Sequence, residues 1–174
     1  MSQTAYARPA QDEHAPYYGK YTSLVPDGNV VEILEHQIAA TVNLLRNLPE
    51  EKANYRYAPE KWSVKEVIGH LTDSERIFAY RALRIARNDQ TPLASFEQDG
   101  YVPAGDFGAR TIADLLDEFE CVRRSTLFLF KNLNEEAWSR RGTASDNEVS
   151  VRALAYIIAG HELHHLNVLR EKYL

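Results

Sequence analysis

Residues 157–174 read IIAGHELHHLNVLREKYL, and the helix they predict is central to the fold. Apolar positions recur at steps of three and four from Val151 through Leu154 and Ile158, which is the spacing of one helix face. The same stripe continues through His161 and His165. Because residues four apart lie one above the other on a helix, these two imidazoles share a face and could bind one metal ion.

Three earlier segments show the same helical spacing. The first covers residues 31–48 and is closed by Pro49. The second begins at Ser63, which forms a predicted capping box with Glu66, and runs to about residue 87. The third covers residues 112–130 after a similar cap at Thr111. The sequence therefore predicts an all-α protein, a four-helix bundle.

The connection between the second and third helices, residues 88–110, is long for a compact domain. It permits a crossover from one end of the bundle to the other, and it could cover a site as a lid. We expect residues 30–174 to form the bundle and residues 1–29 to form an irregular arm packed on it. A short helical turn is expected over residues 134–139, followed by a polar loop over residues 140–148.

Composition excludes several classes of protein. The 174 residues suffice for one domain, and a net charge of −5 without a basic face argues against binding to nucleic acid or an anionic membrane. The N-terminal residues lack the apolar region of a secretory signal, and we expect a cytoplasmic protein. Cys121 is the one cysteine, and its position beside the third helix's stripe favours a small buried side chain over a reactive thiol.

Residues 161–165 also match H-E-x-x-H, the zinc-protease motif, but the surrounding sequence argues against a peptidase. The extended metzincin motif needs Gly and His where this chain has Val168 and Glu171. No segment shows the alternation of a strand that could align a peptide substrate.

A third metal ligand would have to come from His14, His36 or His70. His14 lies in the irregular arm and His36 lies off its helix's stripe, whereas His70 lies on the inward face of the second helix. Three neutral imidazoles from two helices would leave a coordination position for water or substrate. The alternative is that the histidines are core residues hydrogen-bonded to side chains or water.

Other polar residues have two interpretations each. Glu162 could be a catalytic base, or it could orient a ligand imidazole. Asp73, Arg81 and Arg84 could reach the site's rim or an acidic substrate, or they could form ordinary ion pairs.

Two stretches, KWSVKEVIGHLTDSERIFAYRALR (61–84) and SVRALAYIIAGHELHHLNVLREKYL (150–174), resemble the DinB/YfiT-like superfamily. The resemblance spans roughly residues 30–174, and His70, His161 and His165 match the family's three-histidine pattern. It implies a four-helix bundle that binds zinc or nickel, often as a homodimer.

For activity, the resemblance implies a metal-dependent enzyme acting on a small molecule. The reaction would be hydrolysis or S-transfer from a low-molecular-weight thiol such as bacillithiol or mycothiol. The alternative is a non-enzymatic module, which holds a ligand on the metal or acts in a stress response, and a purely structural metal is the third interpretation.

Overall fold

The computed structural model describes residues 6–174. In chain order its helices are α1 (Gly19–Thr22), α2 (Val30–Leu45), α3 (Glu50–Ala53), α4 (Val64–Ala86), α5 (Gln98–Ala104), α6 (Ile112–Lys131), α7 (Glu135–Ser139) and α8 (Val151–Lys172). Its strands are β1 (Arg141–Ala144) and β2 (Asn147–Ser150). Helices α2, α4, α6 and α8 form the predicted four-helix bundle, which is confirmed.

In the order of the four helices around the bundle axis, α4 lies next to α8. Helices α4 and α2 each pack against both α6 and α8, so α2 and α4 lie diagonally across the centre. One apolar cluster joins the first halves of α2 and α8 to the second halves of α4 and α6, and a second cluster joins the opposite halves. Helices α4 and α6 are therefore parallel, and the 88–110 connection is long because it must return along the bundle.

A polar layer divides these two apolar clusters. It consists of buried residues from all four helices: Gln37 and Thr41 on α2, His70, Ser74 and Glu75 on α4, Arg123 and Thr126 on α6, and His161 and Glu162 on α8. The candidate site is thus inside the bundle, between two hydrophobic clusters.

Local capping fixes where the bundle helices begin. Oγ of Ser63 accepts a hydrogen bond from the backbone N–H of Glu66, whose carboxylate accepts from the N–H of Ser63 at 2.7 Å. Thr111 and Ser150 cap α6 and α8 in the same way, each accepting from the N–H three residues on. The predicted helix starts are confirmed.

The 88–110 connection contains local structure of its own. Besides α5, it has a 3₁₀ turn at Phe107–Ala109, and the ring of Phe107 packs against the backbone of α4 at Gly69. A Cβ on Gly69 would lie 2.4 Å from that ring, so the close packing depends on a glycine there. Arg81 donates hydrogen bonds to the carbonyl of Ala94 and to Oγ of Ser145, which tie the connection to α4.

The polar loop expected over residues 140–148 is wrong, because those residues form a two-stranded antiparallel hairpin that runs on to Ser150. Its two-residue turn places Ser145 and Asp146 at positive φ, 51° and 60°, as a type I′ turn requires. The usual sequence signal for that turn is Asn-Gly or Asp-Gly. Ser-Asp does not provide it, so the hairpin was missed.

Two expectations for α6 are also wrong. Cys121 is exposed and is not a small buried side chain. The three- and four-residue spacing from Leu115 through Phe119 predicts Val122 on the inward stripe, but it is only half-buried, whereas its neighbour Arg123 is buried. The inward face is rotated by one residue at this point because Arg123 has partners in the bundle centre.

The N-terminal segment is described from Tyr6 onward, and residues 1–5 of the expected arm lie outside the described residues. Arg8 donates hydrogen bonds to the carbonyls of Thr22 and Val25, and buried Glu13 pairs with Arg152 on α8. Tyr21 is buried. Within residues 6–174, each helix is too short or too polar to cross a lipid bilayer.

Candidate metal centre

Three histidines converge in the polar layer. His70 on α4 faces His161 and His165 on α8, and Nε2 of His161 lies 3.1 Å from Nε2 of His70 and 3.2 Å from Nε2 of His165. The potential ligand atoms of the three residues all lie within 4.8 Å of one another. The structure therefore brings together the three residues that the sequence indicated.

Hydrogen bonding alone does not satisfy this arrangement. A neutral imidazole nitrogen either donates one proton or accepts in one direction, so Nε2 of His161 can pair well with only one of its two neighbours. A cation among the three lone pairs would satisfy all of them. If the metal–nitrogen bonds are about 2.0–2.1 Å long and the N–metal–N angles lie between the octahedral and tetrahedral values, two ligand nitrogens are about 2.9–3.4 Å apart. The observed 3.1 and 3.2 Å fall inside that range, so the residues fit a metal ion.

The environment keeps these rings neutral. Burial lowers the pKa of His70 to about 4, against a smaller opposing effect of Asp99. Burial, followed by the charges of neighbouring histidines and Lys20, lowers the pKa of His165 to about 3 and that of His161 well below its usual value. Neutral imidazoles retain the lone pairs that a metal needs, so ligand deprotonation would cost little near neutral pH.

Aromatic side chains enclose the cluster. The indole of Trp62 lies 4.7 Å from the ring of His70 and stacks at 6.4 Å on that of His165, measured between centroids. The ring of Tyr21 meets His161 edge-on at 5.2 Å. Oγ of Ser74 lies 3.5 Å from Nδ1 of His70, one turn along α4. These contacts restrict the orientation of the imidazoles.

Glu162 faces the bundle centre and its two carboxylate oxygens are both engaged. Oε1 accepts from the hydroxyl of Thr41 at 2.5 Å, and Oε2 accepts from Nη2 of Arg123 at 2.9 Å. Arg123 also makes a bidentate pair with Glu75, at 2.8 and 2.7 Å, and donates to the carbonyl of Leu34. Although burial opposes its charge, the two carboxylates raise the pKa of Arg123. Arg123, Glu75 and Glu162 form a network that joins α6, α4 and α8. Its contacts with Thr41 and the carbonyl of Leu34 extend it to α2.

A cleft of about 500 Å³ opens beside the cluster and reaches it at His165. Its lining includes His165, Trp62, His164, Tyr173 and Asp99. Asp99 belongs to α5, so the 88–110 connection reaches the cleft, as the lid expectation requires. The mixture of aromatic and charged side chains suits a small organic molecule with a polar group.

The other residues considered from the sequence lie elsewhere. His14 is buried in the N-terminal segment with Nδ1 near the carbonyl of Ala15, and His36 is exposed on α2. Asp73 forms an ion pair with Arg76, and Arg84 pairs with Asp89. The structure does not bring these residues to the histidine cluster.

Sequence reasoning missed the partners of Glu162, although the sequence contains a signal. Glu75 lies four residues after Leu71 and three before Phe78, and Arg123 lies four after Phe119 and three before Thr126. Opposite charges on the inward stripes of two helices indicate a buried pair. No comparable signal places Lys20, Tyr21 or Asp99 beside the site, because they lie on α1 and α5, which are too short to show an apolar stripe.

Comparisons with known proteins agree with this geometry. The family model described as DinB superfamily matches residues 33–169. A protein of Oceanobacillus iheyensis named "Putative metal-dependent hydrolase OB0413" is 26% identical over 140 residues, which cover 78% of this chain and 77% of that protein.

A solved structure also superimposes on the bundle. It is YfiT from Bacillus subtilis, described as "a probable metal-dependent hydrolase with an unusual four-helix bundle topology", with a TM-score of 0.74 and 16% sequence identity. The match covers 82% of each chain. At this identity the likeness shows the fold.

Proposed function

The chain belongs to the DinB superfamily, and from this premise we propose that it is a metal-dependent hydrolase of a small molecule. His70, His161 and His165 would hold the divalent metal, zinc or nickel. The observation that carries the proposal is the convergence of three neutral imidazoles, two buried and one half-buried, with Nε2 of His161 at ligand-like separations from the other two. The names of the two relatives support the same chemistry.

The residues of the chain leave room for a reaction at this site. Three protein ligands leave at least one coordination position, and the cleft opens beside His165. A divalent metal bound there would supply Lewis acidity, which activates water or a thiol near neutral pH. Trp62 and Tyr21 exclude water from two sides of the rings, and Ser74 restrains the ring of His70.

We assign Glu162 a positioning role and do not propose it as the catalytic base. Its carboxylate is held by Arg123 and Thr41 in the bundle centre, with 1% of the side chain exposed. A base would need to reach the cleft, where the substrate enters. Because Glu162 follows His161 directly on α8, the network fixes the part of the helix that carries this ligand.

The experiment compares metal-stripped and metal-reloaded protein on a panel of chromogenic esters and amides, with and without a low-molecular-weight thiol. We expect hydrolysis only with metal, loss of activity in His165→Ala, and retained activity in the control His36→Ala, which removes an exposed histidine on α2. Product formation that requires the thiol would indicate S-transfer in place of hydrolysis. Tight retention of a ligand without turnover would contradict an enzyme and favour the binding module.

A cytoplasmic location is also proposed, because a single cysteine fits a reducing compartment, and a homodimer is proposed from the resemblance. Sedimentation of the metal-loaded protein at several concentrations checks the second of these, since a monomer at all concentrations would contradict it.

A further inference from the structure

The N-terminal segment contributes a wall to the histidine site. Helix α1 packs against α8 so closely that a Cβ on Gly160 would lie 2.1 Å from the carbonyl oxygen of Tyr21. Gly160 directly precedes His161, so this contact fixes α1 beside a proposed ligand. The ring of Tyr21 meets the rings of both His161 and His164, at 5.2 and 5.4 Å between centroids.

This wall carries a cation and two hydroxyls. Nζ of Lys20 lies 3.8 Å from the ring centroid of Tyr17 and 4.8 Å from that of Tyr21. The hydroxyls of the two tyrosines are 3.5 Å apart. Among residues 6–174, no carboxylate lies within ion-pair distance of Lys20, which is exposed. The ammonium is thus positioned on aromatic faces and has no acidic partner.

Charge is distributed unevenly around the site. Lys20 contributes to the lowered pKa values of His161, His164 and His165, so its ammonium lies on the α8 side. The carboxylate of Asp99 acts in the opposite direction on His70 and also raises the pKa of Tyr17, so it lies within electrostatic range of both side chains. The histidines of α8 therefore lie in the field of a cation, Lys20, and His70 lies in the field of an anion, Asp99.

We propose that Lys20, together with the hydroxyl of Tyr17, binds the negatively charged group of the substrate, so that the preferred substrates are small carboxylates or similar organic anions. The inference rests on the proposed function. An ammonium and a divalent cation that lie close together repel each other. A negative group near both offsets this repulsion, and an anionic substrate provides that group. Phenol hydroxyls can donate hydrogen bonds to the same anion.

The test uses two probes that share a thiol and differ in charge, mercaptoacetate and 2-mercaptoethanol, bound to cobalt-loaded protein and followed by visible absorption. The measured quantity is the preference, the ratio of the 2-mercaptoethanol Kd to the mercaptoacetate Kd. Because both probes are compared across variants, the intrinsic chelation by the carboxylate cancels. We expect Lys20→Met to lower this preference about fivefold at low salt, the upper range for one exposed ion pair.

Matched variants separate a charge effect from a structural one. Lys20→Arg keeps the charge and is expected to keep the preference, whereas Asp99→Asn removes a negative charge and is expected to raise it. Lys52→Met, which removes an exposed lysine on α3, is the control and should leave the preference unchanged. Salt at about 1 M would remove most of the Lys20 effect, because the Debye length falls to about 3 Å.

The possible failures are distinguishable. If Lys20→Met leaves the preference unchanged while both thiols still bind, the inference is overturned and the proposed function stands. If neither thiol perturbs the cobalt spectrum, the site offers no open position, and both the proposed function and the inference are overturned.

Discussion

Nε2 of His161 lies 3.1 Å from Nε2 of His70, so α4 and α8 share one cluster of nitrogen donors in the bundle centre. His161 is the central member, because His165 approaches the same Nε2 atom at 3.2 Å. Five predictions test this cluster and the contacts that hold it.

Substituting any of the three histidines should remove metal binding. We expect His161→Ala to lower the affinity for zinc by more than about 100-fold, since even partners of metal ligands change affinity by about 10–100-fold. Competition against a chelating dye measures the change. His36→Ala, which removes an exposed histidine on α2, is the control. Equal zinc affinity in the His161→Ala and His36→Ala variants would contradict the assignment of His161 as a ligand.

Metal should stabilise the folded protein, because the unfolded chain does not hold three imidazoles together. At 100 times the Kd, the free energy of unfolding should rise by about 2.7 kcal/mol. For a chain of this size the Tm should then rise by about 5–10 °C. Calorimetry with and without metal measures the shift, which should be absent in His161→Ala and present in His164→Ala.

Acid should destabilise the metal-free protein through the same histidines. Burial lowers the pKa of His70 to about 4 and that of His165 to about 3, below the unfolded value of about 6.5. Above that value the rings are neutral in both states. As pH falls from about 6.5 to 4, the unfolded chain takes up protons that the folded rings do not, and the free energy of unfolding decreases.

Urea unfolding at several pH values checks this prediction, with His70→Leu as the comparison. The variant should lose less stability than the native chain over the same pH interval. An identical pH dependence in both would show that His70 does not contribute.

The helices and the histidine cluster could be predicted from sequence because their signals are local. Caps at Ser63 and Thr111, and the stripe through His161 and His165, depend only on spacing along one helix. His70 followed from one further assumption, that the inward faces of two helices meet. The same spacing argues against a zinc protease, since Val168 stands where the extended motif requires glycine.

The remaining features depend on tertiary contacts that spacing does not encode. The hairpin has Ser145 and Asp146 at positive φ, without the glycine that usually marks this turn. Lys20 and Tyr21 reach the site only because Gly160 lets α1 approach α8, a contact between segments more than 130 residues apart. Arg123 is buried because Glu75 and Glu162, on two other helices, bind its guanidinium group.

The buried network should make Arg123 essential for stability. Arg123→Met would leave Glu75 and Glu162 without their shared partner, and removing one member of a buried ion pair costs about 3–5 kcal/mol. Urea unfolding measures the loss. Arg124→Met, an exposed neighbour, is the control. Replacing Arg123, Glu75 and Glu162 together by apolar residues should recover much of the stability, because no buried charge then remains unpaired.

Gly160→Ala should detach α1 from the site while leaving the bundle folded. The added Cβ would lie 2.1 Å from the carbonyl oxygen of Tyr21, and a backbone atom cannot yield as a flexible side chain can. Displacement of α1 should cost about 1–3 kcal/mol, partly offset by about 1 kcal/mol from the better helix propensity of alanine.

Two measurements separate detachment from general destabilisation. Limited proteolysis should cleave the Gly160→Ala variant within residues 15–29 faster than the native chain, while cleavage of α4 and α8 stays slow. Gly19→Ala is the matched control, because Gly19 lies in α1 with nothing within 4 Å of the added Cβ. Since His161 follows Gly160 directly, the variant should still bind metal through its three histidines but should lose the preference for mercaptoacetate that depends on Lys20. Retention of both the native cleavage pattern and that preference would show that α1 does not depend on this close approach.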